Sequence, residues 1–99
     1  MKNILLVDDD REVSQSLANL FDPEKFTFEF LEDGAEVSHF LSGKDDIDLV
    51  MLDVNLPTLS GLDVLKQIKQ IDNDLPVIMI SGFVSTENAI EAMREGAYE

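Results

Sequence analysis

Ninety-nine residues with 44% hydrophobic content suffice for one domain built on a single core. The chain has no cysteine, which excludes a disulfide scaffold, a thiolate zinc site and a cysteine nucleophile. Its 21 acidic and 7 basic residues give a net charge of -14, so it would be repelled by nucleic-acid phosphates and anionic lipid headgroups. The opening Met1-Lys-Asn-Ile-Leu-Leu-Val7 is too short an apolar run for a signal peptide or a membrane span, and a cytoplasmic location is expected.

Ile4 to Val7 reads as a buried strand that ends in Asp8-Asp9-Asp10. From Asp10 to Phe21, the residues Val13, Leu17, Leu20 and Phe21 recur at helical spacing, and Pro23 follows as a stop signal. Phe26, Phe28 and Phe30 alternate as a second strand, where they are expected to pack in the core rather than stack on bases. Asp33-Gly-Ala-Glu36 has the form of a capping box, opening a helix that turns Val37, Phe40 and Leu41 inward and ends at Gly43. His39 lies on this helix with no second imidazole, and a surface or boundary position is expected.

Ile47 to Leu52 is expected as the third strand and Asp53 to Ser60 as a loop. Leu62, Leu65 and Ile68, with Ile71 as a marginal fourth, mark the apolar stripe of a third helix. Pro76 to Ile80 is expected as strand four. Ser85 is the expected cap of a last helix that carries Ala89, Ile90 and Met93. Apolar strands alternating with helices in a βαβαβαβα order argue for an α/β fold, a doubly wound parallel sheet covered on both faces. Ligands of such sheets sit beyond the carboxyl ends of the strands, where strand order reverses.

If the first and third strands are neighbours, the acidic ends Asp8-Asp9-Asp10 and Asp53 bring three or four carboxylates into one pocket. Clustered carboxylates raise one another's pKa unless a cation neutralises them, and an all-oxygen donor set suits a hard ion, Mg²⁺ above all. Helix capping by Asp9 or Asp10 and loop entry at Asp53 account for the same residues without a metal. Spacing alone leaves both readings open.

Three segments are more specific in combination: Ile4-Leu-Leu-Val-Asp-Asp-Asp10, Asp48-Leu-Val-Met-Leu-Asp53-Val-Asn-Leu-Pro57 with Gly61, and Val77-Ile-Met-Ile-Ser81-Gly82. Their order and spacing resemble those of response-regulator receiver domains over essentially the whole chain, most nearly those like the chemotaxis regulators. A weaker likeness, from Met79 to Glu99, is to receivers joined to transcriptional activators with ATPase modules.

The resemblance implies a flavodoxin-like sheet in the order 2-1-3-4. It makes Asp53 the phosphoacceptor, and Asp8, Asp9, Asp53 and the backbone carbonyl of Asn55 the Mg²⁺ ligands. Ser81 becomes the hydroxyl that contacts the phosphoryl group and moves with it, and Asp10 remains a helix cap. A sensor histidine kinase is the implied donor, and an effector domain or partner protein the implied output. The chain itself would be no enzyme beyond catalysing its own phosphorylation and dephosphorylation.

The family's fifth strand, its lysine and its last helix have no counterpart in residues 1–99, which read as one receiver domain incomplete at its C-terminus. That departure puts switching in doubt and leaves an uncovered sheet edge that invites a dimer or swapped oligomer. An interaction module that binds metal without being switched is the alternative. A phosphatase of the haloacid-dehalogenase type fits less well, because Asp8-Asp9-Asp10 lacks the threonine that type requires and Asn55-Leu-Pro57 goes unexplained.

Overall fold

The computed structural model describes residues 2–43, 46–54, 56 and 59–80. Four strands, β1 (Lys2–Val7), β2 (Phe26–Leu31), β3 (Leu49–Asp53) and β4 (Val77–Ile80), form one parallel sheet in the order β2-β1-β3-β4. Three helices connect them: α1 (Arg11–Ala18), α2 (Val37–Ser42) and α3 (Gly61–Ile71), with a 3₁₀ turn at Gly34–Glu36 leading into α2. This is the expected doubly wound arrangement, and strand order reverses between β1 and β3. The expected last helix, from Ser85 onward, lies outside the described residues.

The central strands are apolar on both faces because both faces are covered. Leu5 and Val7 of β1, Val50 and Leu52 of β3 and Val77 of β4 join Val37 and Leu41 of α2 and Val64, Leu65 and Ile68 of α3 in the larger core. On the opposite face Ile4, Leu6 and Met51 form a smaller core, against which Leu17, Phe21, Phe26, Phe28 and Phe30 pack. The phenylalanine stripe, half-buried, therefore packs onto the core on the face that its alternation implied. Phe21 meets Phe26 and Phe28 edge to face at centroid distances of 5.3 and 5.2 Å. His39 is exposed on α2, as expected.

Two apolar stripes are rotated from their expected positions. In α1 the buried residue is Ser14, with Leu17, Ala18 and Phe21 half-buried, whereas Val13 and Leu20 are 43% and 80% exposed. Ser14 occupies the inward position of the helix, and its bulkier neighbour Val13 is thereby turned outward. The helix also ends at Ala18 rather than Phe21, with Leu20 and Phe21 donating to the carbonyls of Leu17 and Ala18 in a closing turn.

In α3 the buried stripe is Gly61, Val64, Leu65 and Ile68, at i, i+3, i+4 and i+7. Leu62 is half-buried and Ile71 is 40% exposed. Strand three begins at Leu49 rather than Ile47 and includes Asp53, a residue expected in the following loop.

Candidate metal and phosphoacceptor site at the strand ends

The site lies where β1 and β3 end side by side. Ile4, Leu6 and Asp8 alternate onto one face of the sheet, as do Leu49, Met51 and Asp53. The strands run in register through Val7 and Leu52, so Asp8 and Asp53 meet one residue beyond that pair. Backbone bonds fix both ends: Asp8 N–H donates to the Leu31 carbonyl at 3.0 Å, and Val54 N–H to the Ile80 carbonyl at 3.1 Å.

Asp8, Asp9 and Asp53 each bring a carboxylate oxygen within 4.8 Å of the other two. Ligands on opposite sides of a Mg²⁺ ion are about 4 Å apart, so the three oxygens lie within a small inward adjustment of one octahedral shell, which would leave its other positions to water. Asp8 is buried at 6% exposure, Asp53 is half-buried and Asp9 is exposed. The cluster therefore opens to solvent on one side, as an ion that retains waters requires.

Burial is the main cause that pushes the Asp8 carboxyl from its usual 3.8 up to about 6. The Asp10 amide, which donates to Asp8 Oδ1 at 2.9 Å, opposes that rise. The charge of Asp53, a hydrogen bond shared with it and the charge of Asp9 add to it. A carboxyl group held out of water beside two others is a site that a divalent cation would stabilise. Asp10 takes no part in the cluster. Its side chain accepts from the amides of Glu12 and Val13 at 3.0 and 3.2 Å and caps α1, the role that the resemblance left to it. Its neighbour Arg11 pairs with Glu32 at 3.5 Å, with its guanidinium 5.1 Å from the centroid of Phe30.

The structure thus brings together Asp8, Asp9 and Asp53 of the expected site, while Asn55 and Ser81 lie outside the described residues. Sequence reasoning gave Gly61 no structural role. At this glycine the first turn of α3 touches the backbone next to Asp53, its N–H donating to the Val54 carbonyl at 2.8 Å. Glycine is a poor residue inside a helix, and finding one at a helix start rather than its end was the available signal.

Residues 4–99 match the model of the response regulator receiver domain family. The transcriptional regulatory protein CpxR of Escherichia coli K12 is 38% identical over 97 residues, which cover 98% of this chain and 40% of CpxR. The chain spans less than half the length of this relative. Among solved structures, CheY from Borrelia burgdorferi, in a CheX-CheY-BeF3-Mg²⁺ complex, is 30% identical with a TM-score of 0.89, over 98% of this chain and 74% of that one. The beryllofluoride-activated NtrC4 receiver domain dimer matches all of this chain and 81% of its own, at 29% identity and a TM-score of 0.91. The chain belongs to the response-regulator receiver family, and its fold is that of the CheY-like receivers.

Proposed function

We propose that this chain accepts a phosphoryl group on Asp53 from a phosphohistidine of a sensor kinase, in a reaction that depends on Mg²⁺ held by Asp8, Asp9, Asp53 and the backbone carbonyl of Asn55. The observation that carries the proposal is the convergence of Asp8, Asp9 and Asp53 at the β1/β3 switch point. The presence of BeF3 and Mg²⁺ together in the complex of the Borrelia relative supports it.

In the reaction a carboxylate oxygen of Asp53 attacks phosphorus, the phosphorus–nitrogen bond to the donor imidazole breaks, and an acyl phosphate forms. A bound Mg²⁺ would supply neutralisation of the charge spread over the phosphoryl oxygens. Asp53 lies at the end of a strand bonded on both sides, so its oxygen is positioned before the donor arrives. Asp8 and Asp9 hold the negative charge that draws the ion in. Ser81 takes the role of contacting the transferred group and beginning the change that an effector domain or partner protein reads. The setting is cytoplasmic, and the output is transcriptional control, as in CpxR.

Incubation with acetyl phosphate and Mg²⁺ should add one phosphoryl group by mass spectrometry, and chelation of the metal should prevent it. Modification that persists in Asp53→Ala would refute the assignment. Mg²⁺ binding without any modification would favour a receiver-like interaction module instead.

A further inference from the structure

The start of α3 is packed against the backbone that carries Asp53. A Cβ at position 61 would lie 2.5 Å from the Asp53 carbonyl oxygen, 2.7 Å from Val54 Cα and 3.1 Å from the Val54 carbonyl oxygen. All three are backbone atoms, so no side-chain rotation relieves the contact. The chain would have to move at Asp53 or at α3. Gly34 differs in this respect, because a Cβ there would meet the side chains of Val64 and Leu56 at 2.6 and 3.0 Å.

We infer that Gly61 is a positioning residue that sets the preference of the carboxylate site for Mg²⁺ over Ca²⁺. The inference rests on the reading of Asp8, Asp9 and Asp53 as metal ligands. Mg²⁺ demands near-ideal octahedral geometry at about 2.0–2.1 Å, while Ca²⁺ accepts six to eight oxygens at about 2.3–2.6 Å in irregular shells. Relief of the 2.5 Å contact to 3.4 Å takes about 0.9 Å shared between Asp53 and α3, and the share taken up at Asp53 spoils a Mg²⁺ shell and leaves a Ca²⁺ shell serviceable. Val54 is held by Ile80 on one side and by Gly61 on the other, and only the Gly61 contact depends on the absence of a side chain.

The test is calorimetric titration of the whole chain with Mg²⁺ alone and with Ca²⁺ alone. For Gly61→Ala the Kd for Mg²⁺ should rise about tenfold, as for other residues that orient metal ligands, with a change of less than about twofold for Ca²⁺. Val77→Ala, a cavity in the core at the opposite end of β4, should lower Tm and leave the Mg²⁺/Ca²⁺ ratio unchanged. A folded Gly61→Ala protein with the parent ratio overturns the inference, as does an equal shift of the ratio in Val77→Ala.

If Gly61→Ala gives no cooperative melt, Ser60→Ala decides. Ser60 Oγ accepts from the Asp63 amide at 3.3 Å at the start of α3, and its loss should move the ratio in the same direction by a smaller factor. An unmoved ratio there overturns the inference. If the parent protein binds neither ion, or binds equally well as Asp53→Ala, the metal-site reading itself falls and takes this inference with it.

Discussion

At Asp8 a carboxyl group is held almost out of water, accepts one backbone N–H and faces Asp53. Its pKa in the folded protein, about 6 against 3.8, means that between these values the folded state binds a proton more tightly than the unfolded state. The contribution of Asp8 to stability is therefore most favourable below about pH 4, declines as pH rises through about 6, and stays unfavourable above it. The loss is on the order of 1–3 kcal/mol. Asp8→Asn should accordingly melt at a higher temperature than the parent near pH 7.5 without divalent cations, with the difference vanishing near about pH 4. Thermal melts across that range check this, and a gain independent of pH would trace it to packing instead. The acidic pair was legible in the sequence, but not which of its members is buried. Strand alternation settles that by placing Asp8 on the face of Ile4 and Leu6, and Asp9 beyond the strand in solvent.

The helices show where pattern reading succeeds and where it fails. Each described strand and α-helix follows from apolar periodicity, the 3₁₀ turn at Gly34–Glu36 does not, and Pro23 and Gly43 follow the helices they were expected to end. Periodicity alone cannot distinguish two adjacent apolar stripes on one helix. In α1 Ser14 rather than Val13 takes the buried position, and in α3 Gly61 takes it against the backbone beside Asp53. Both are small residues, which carry little weight in a hydrophobicity pattern. The consequence is testable at paired leucines. Leu65→Ala removes a fully buried side chain and should cost about 2–5 kcal/mol, whereas Leu20→Ser, at 80% exposure, should change stability by less than about 0.5 kcal/mol. Urea denaturation of the two variants measures both, and a large loss from Leu20→Ser would restore the stripe expected from sequence.

Across the whole molecule a net charge of -14 on 99 residues opposes the compact state by self-repulsion. Raising NaCl from about 0.05 to about 0.5 M should raise Tm, because the Debye length falls well below the separation of most surface carboxylates. Mg²⁺ should do more than match that ionic strength. At about a hundred times its Kd it should add about 2–3 kcal/mol through binding to the folded state alone. Differential scanning calorimetry of Asp53→Ala should show the NaCl effect intact and the extra Mg²⁺ increment lost. An increment that survives would mean the ion acts only as general screening. Net charge and the absence of cysteine were plain from composition. The meeting of Asp8 with Asp53 needed the order of the strands, which depends on contacts distant in sequence.

That strand order also fixes when the chain can fold. β1 is central, yet Ile4 pairs with Phe28 on one side and with Leu49 on the other. During synthesis the apolar run Ile4–Val7 leaves the ribosome with neither neighbour available, and its second partner follows more than forty residues later. Loop closure of that length precedes any reward from pairing, so folding should be slow for so small a domain and should begin only after β3 has emerged. The three aspartates after β1 then act as gatekeepers, keeping a sticky segment in solution until the sheet that buries it exists.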